Sequence, residues 1–224
     1  MNRIFNTLLL ITIIIVTVCL SGCSDKHIFR SGVPWNDMVQ EIPGKIECEF
    51  YDRGGEGVAY HDTDSINNGS GGLNPANGNF LNEFRMNEGV DISYTKDRNI
   101  DNTIYNIVSP AMDQLYVGWT KPDEWINYTV DAKQTGNYSI GLMYTSNKVG
   151  GIALSIDGKN ISGTINIPTT FNSQDSVAWR QWHHWNYIDS IASVNLTKGL
   201  QTITIHTAEV GDMNYDFINF KLAE

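Results

Sequence analysis

What most constrains this chain is a succession of short segments with a side-chain period of two, separated by turn residues. Ile46, Cys48 and Phe50 alternate with Glu47 and Glu49, and short apolar-rich runs follow at 115–119, 125–130, 138–144, 152–156, 193–196, 200–206 and 217–222. In an extended chain successive side chains point to opposite faces, so each run can bury one face. Between the runs lie Thr135-Gly136-Asn137, Asp157-Gly158-Lys159 and Lys198-Gly199, residue types that reverse a chain. No window carries a helical period. Many short strands with regular turns predict an all-β domain, a sandwich or barrel of antiparallel sheets. Residues 62–82 and 96–113 interrupt the pattern, and loops of that length in a compact domain are usually functional or disordered. Asn79-Phe80-Leu81 suggests that the first of them is partly pinned.

The second feature is a cluster of rings. Trp179, Trp182 and Trp185 are half of the six tryptophans and fall within seven residues. Such a cluster is either dense core or the floor of a binding site. If the segment is extended, parity puts Trp179 and Trp185 on one face and Trp182 on the other. Taken singly, Trp182, Trp185, Trp119 and Trp125 read as core.

The N-terminus reads as a targeting segment. Arg3 precedes an apolar run from Leu8 to Leu20, and Leu20-Ser21-Gly22-Cys23 closes it with small residues before a cysteine. That order is a secretory signal, and the run is short for a membrane span of about 20 residues. Its end resembles the lipobox of bacterial lipoproteins, which implies a signal peptide over 1–22 and lipid attachment at Cys23. Lipid would tether the protein to a membrane without spanning it, in a bacterial cell envelope and at the outer membrane. A polar spacer is expected over 23–43, with 35–42 either its end or a short edge strand, and the folded domain over 44–224. Cys19 lies in the signal and Cys23 carries lipid, so Cys48 has no partner for a disulfide. The fold must stand on its core or on a metal. A formal charge of −10 argues against nucleic acid or anionic lipid as partners and suits a neutral ligand or a cation.

From residue 44 onward the chain strongly resembles family 6 carbohydrate-binding modules, in seven ordered blocks. They are Ile46-Glu47-x-Glu49-x-Tyr51-Asp52 with 54–63, then Arg85-x-x-Glu88-Gly89-Val90-Asp91, then 117–120 with Glu124-Trp125-Ile126, then Gly136-x-Tyr138. Leu154-x-Ile156-Asp157-Gly158, Trp179-x-x-Trp182 and 213–220 complete the order. The resemblance implies a β-sandwich of the jelly-roll kind that binds polysaccharide, a β-glycan such as xylan or β-glucan, without cleaving it. It also implies a monomer and a cleft among the loops at one end of the sandwich. There Trp179 would be one stacking ring, Asn214 the amide and Glu56 the acid. The place of the second ring, usually a tyrosine before the arginine, is held here by Phe84, which keeps a flat face and loses a hydroxyl. The long 62–82 loop could reshape or cover the cleft. Flat rings suit the C–H faces of a pyranose, and planar amides and carboxylates suit its hydroxyls.

The same resemblance implies a structural calcium ion held by Glu47, Glu49 and Asp216, hard oxygen ligands on the first and last strands. Without it Glu47 and Glu49 read as solvated acids of an edge strand. Asp62-x-Asp64 lacks the spacing of a calcium loop and reads as a solvated turn. Catalysis finds little support. His183 and His184 are adjacent and point apart, and neither a G-x-S-x-G elbow nor an H-E-x-x-H pair occurs. Two other classes remain as alternatives: a module that docks on a protein or surface component, and a small glycoside hydrolase using the same cleft.

Overall fold

The structure is a computed structural model that describes residues 32–95 and 103–223. The signal segment, the lipid-bearing Cys23 and the start of the spacer lie outside the described residues. Twelve strands are formed among those described: β1 (Gln40–Ile42), β2 (Gly44–Glu47), β3 (Tyr60–His61), β4 (Ile92–Tyr94), β5 (Leu115–Val117), β6 (Trp125–Ala132), β7 (Gly136–Ser146), β8 (Gly150–Ile156), β9 (Lys159–Ile167), β10 (Asn186–Leu196), β11 (Gly199–Glu209) and β12 (Met213–Leu222). One short helix, α1 (Phe80–Glu83), lies in the first long loop, where Asn79 Oδ1 accepts the Leu81 N–H and so pins its start.

The strands make two six-stranded sheets. One runs β1-β6-β11-β8-β9 with β3 added to β6, the other β10-β7-β12-β5-β4 with β2 added to β12. From β6 onward the chain passes repeatedly from sheet to sheet, the crossing pattern of a β-sandwich. Every paired strand is antiparallel to its neighbour except β1, which runs parallel to β6 with Gln40 opposite Val130. The spacer drawn over 23–43 is therefore too long. Val33 bridges Arg53, and Gln40 ties β1 to β2 by accepting the Glu47 N–H on its side chain at 2.8 Å.

Inward faces of the two sheets supply the core. Ile46, Tyr128, Val130, Ile140, Leu142, Ile152, Leu154, Ile203, Ile218 and Phe220 are all buried there. The core is rich in tyrosine, and its hydroxyls find backbone acceptors: Tyr128 donates to Cys48 O at 2.9 Å, Tyr138 to Gln134 O at 2.7 Å, Tyr144 to Pro168 O at 3.0 Å. A buried phenol without such a partner is costly, so these bonds are what let large rings fill the interior. Cys48 is fully buried and fills a small apolar place in this core.

Local chemistry accounts for the hairpin joining β8 to β9. Asp157 and Gly158 have φ of 47° and 78°, both positive, as a two-residue turn matched to strand twist requires. The sequence marks that turn but not β9, an edge strand whose polar, largely exposed residues show no clean alternation. At the other end the alternation at 46–51 overstates β2. The strand stops at Glu47, and Cys48–Phe50 form a 3-10 turn that rolls Glu49 inward to 4% exposure. The reading of Glu47 and Glu49 as solvated acids therefore fails at Glu49.

Candidate ligand-binding site

One end of the sandwich carries a cavity of about 690 Å³. Its aromatic wall is made by Tyr94, Tyr116, Trp119, Trp179 and Trp182. Its polar fringe includes Asn74, Ser93, Thr95, His183, Asp212 and Asn214, and Leu73 stands at the mouth. The 62–82 loop thus reshapes the cleft, as its length suggested, by bringing Leu73 and Asn74 to it. Asn67 Oδ1 accepts the N–H groups of Gly69, Ser70 and Ile92 and holds that part of the loop against β4.

Trp179 lies on a 3-10 turn, Ala178–Trp182, and not on a strand. Strand parity therefore fails: Trp185 is fully buried while Trp179 is 54% exposed. The turn is held from below. Arg180 donates from Nε and Nη2 to the buried Asp175 carboxylate, both at 2.6 Å, and His184 Nε2 lies 2.9 Å from the same group. These partners, Arg180 first, hold the Asp175 carboxyl below the usual carboxylate range. Gln181 donates to Asn172 O and Asp175 O, and Thr145 donates to Trp182 O at 2.7 Å. His183 and His184 do point apart: His183 lines the cavity and stands edge-on to the Trp179 ring, centroids 5.5 Å apart, whereas His184 is buried with Asp175.

Asn214, on β12, braces two walls at once. Its Nδ2 donates to Trp182 O at 2.7 Å and its Oδ1 accepts the Trp119 N–H at 3.2 Å. Trp119 has a left-handed backbone, φ 48°, so a defined partner for its N–H matters. The 118–124 loop is clamped to β12 by further bonds, Thr120 N to Met213 O and Asp212 N to Thr120 O. Gly211 makes the clamp possible, since a Cβ there would lie 1.9 Å from Thr120 O.

Of the residues expected to form the site, the cavity brings together Trp179 and Asn214 and excludes Phe84 and Glu56. Phe84 is 4% exposed and packs against Trp35, Phe50 and Phe80 at centroid distances of 5.1, 5.8 and 5.1 Å. Loss of the hydroxyl fits this apolar cage, where a phenol would need a partner. Next to it, the Arg85 side chain is fully buried, donating to Asp52 O and Glu88 and lying 3.3 Å from the Tyr51 ring centroid. Glu56 closes its own turn, accepting the Asp62 N–H at 3.0 Å and pairing with His61. Trp119, Trp182, Tyr94 and Asp212 were missed as lining residues. Trp119 is signalled by its place just past β5 with Gly118 before it; Asp212 carries no comparable signal.

The carboxylates assigned to calcium lie near one another electrostatically. Burial above all, then mutual repulsion, pushes Glu49 up to about 9, and burial pushes Asp216 up to about 8. Glu49 Oε2 and both Asp216 oxygens are buried and accept no hydrogen bond. Glu47 is engaged by Gln114 Nε2 at 2.9 Å. Among the described residues no three acid, histidine or cysteine side chains converge at metal-ligand spacing. Orphaned buried carboxylate oxygens are nonetheless the donor chemistry a hard cation takes, and backbone carbonyls can complete its shell. A second acidic group lies on the 62–68 and 118–124 loops. Asp62, partly buried, is pushed up to about 7 by burial and by Glu124, Asp91 and Asp64, and Asp91 to about 6, mainly by burial.

The fold and this cavity define a β-sandwich module with an aromatic-lined cleft at one end. A family model described as delta endotoxin matches residues 91–221, more than half of the chain, and the chain belongs to that family. No curated protein matches it. Among solved structures it is similar to a β-1,3-glucan-binding family 6 carbohydrate-binding module from Bacillus halodurans, at 12% identity and TM-score 0.47, covering 82% of this chain and 99% of that one. It is similar to a family 6 module from Clostridium stercorarium in complex with cellobiose, at 10% identity and TM-score 0.47, covering 83% and 98%. A family 43 arabinoxylan arabinofuranohydrolase from Bacillus subtilis, in complex with cellotetraose, is similar at 16% identity and TM-score 0.49, covering 83% of this chain and 28% of that one.

Proposed function

We propose that this protein binds polysaccharide without cleaving it, in the cleft that Trp179 flanks. The observation that carries this reading is the cavity itself, five aromatic side chains around a polar fringe, with Trp179 left 54% exposed on a braced turn. An exposed ring held in place offers a flat face to a pyranose, while acceptors at the edge take its hydroxyls. A β-glycan such as xylan or β-glucan is the expected class, bound with micromolar to millimolar affinity, about −4 to −8 kcal/mol per site. Affinity electrophoresis against xylan, mixed-linkage glucan, laminarin and agarose tests it. At least one polymer should retard the protein, and Trp179→Ala should abolish the retardation; equal mobility of the two on every polymer removes the proposal.

The same reading places lipid on Cys23, so that a monomeric domain is displayed at the outer membrane of a bacterial envelope and captures glycan for enzymes made elsewhere. It also includes a calcium ion held by Glu47, Glu49 and Asp216, which would neutralise buried carboxylates and join β2 to β12. A second reading, docking on a protein surface, is favoured by Leu73, 70% exposed at the cleft mouth.

A further inference from the structure

We propose that Asp212 decides which sugars the cleft admits, its carboxylate accepting hydroxyl hydrogens from an uncharged pyranose and turning away uronic acids. This inference rests on the glycan-binding reading above. Among the described residues Asp212 is the one carboxylate that lines the cleft, and none of the described lining residues is a lysine or arginine. Most of the other polar groups there already serve the fold. The Asn214 amide is engaged at both ends by Trp182 O and the Trp119 N–H, Thr95 donates to Ala111 O at 2.6 Å, and Ser93 Oγ accepts from Asn74 at 3.1 Å.

The Asp212 carboxylate, by contrast, accepts no hydrogen bond among the described residues, and Lys148 Nζ lies 3.6 Å from its Oδ2. Both side chains of that pair are about half exposed, so the pairing is screened and leaves an oxygen open to ligand. The position is nonetheless fixed. Asp212 has φ 61°, and its N–H donates to Thr120 O in the same clamp that sets Trp119. An ionised carboxylate only accepts, and hydroxyl-to-carboxylate bonds are stronger than neutral ones. A sugar hydroxyl can supply the hydrogen. A uronate brings a second acceptor and a like charge instead.

Titration calorimetry on the full chain tests this with cello-, xylo- and laminari-oligosaccharides as neutral probes and oligogalacturonate as the anionic one. Wild type, Asp212→Asn and Trp179→Ala are compared. Asparagine keeps the shape and tolerates a left-handed backbone, so the fold is not at stake. We expect wild type to bind a neutral probe and not the uronate. Asp212→Asn should weaken the neutral probe by roughly ten- to a hundredfold and narrow its advantage over the uronate. If Asp212→Asn binds both probes as wild type does, while Trp179→Ala binds neither, the role of Asp212 is refuted and the cleft remains a glycan site. Tighter wild-type binding of the uronate refutes it as well. Wild type that binds none of the probes, like Trp179→Ala, removes the glycan reading itself and this inference with it.

Discussion

At the scale of single residues, burial separates the two rings that the sequence suggested as a stacking pair: Trp179 is exposed at the cleft and Phe84 is buried. Phe84 is a core residue in a cage of three other rings. Truncating it should cost about 3–5 kcal/mol of stability and leave glycan retention intact, as urea unfolding and affinity electrophoresis on Phe84→Ala would show. Trp179→Ala should do the reverse, removing retention while shifting the unfolding midpoint little, because more than half of the side chain's residue is already in water. Trp179 was legible through its family motif alone. Parity misassigned its face because parity presumes a strand, and the Ala178–Trp182 segment is a 3-10 turn. Asn214 was legible as a polar group at the site, but its grip on the two walls was not, since hydrogen bonds to Trp182 O and Trp119 N connect residues 32 and 95 positions away.

At the scale of elements, the loops carry the site and the strands carry the pattern. The alternating runs marked β5 to β8 and β10 to β12, whereas β1 was left open between spacer and edge strand, and β3, β4 and β9 escaped notice. Three of those four are only two or three residues long, too short for a period to declare itself, and the fourth is a polar edge. The acidic loops have their own consequence for pH. Asp62 and Asp91 have folded-state values above the ordinary carboxylate range, about 7 and about 6, so the folded state holds protons that the unfolded chain has already released. Stability from this pair is greatest near pH 4 and falls as pH rises toward 7. Thermal melts between pH 4.5 and about 7.5 should show the midpoint dropping, and Asp62→Asn, which keeps the acceptor for the Asp64 N–H, should flatten that slope. An unaltered slope in the variant assigns the effect to other groups.

At the scale of the whole molecule, the two-sheet architecture was readable because short amphipathic strands have few ways to bury their faces. What joins the sheet edges was not readable from pattern. Glu49, on the turn after β2, and Asp216, on β12, are buried with oxygens that accept no hydrogen bond, an arrangement that protonation or a cation must relieve. On the calcium reading proposed above, chelation should lower the melting temperature by several degrees, with calcium restoring it; an unchanged melt in excess chelator removes the ion from that reading. β12 itself pairs with β2, β5 and β7, with Phe217 opposite Glu47. β2 ends at Glu47, β5 at Val117 and β7 at Ser146, all far before β12 begins at Met213, so the sheet that carries Asn214 cannot close until distant parts of the chain have found one another. Loop-closure entropy is met before such pairings give anything back, which points to folding in milliseconds to seconds rather than microseconds. The cleft therefore comes into being only when the final strand, which carries Asn214, has paired with all three partners.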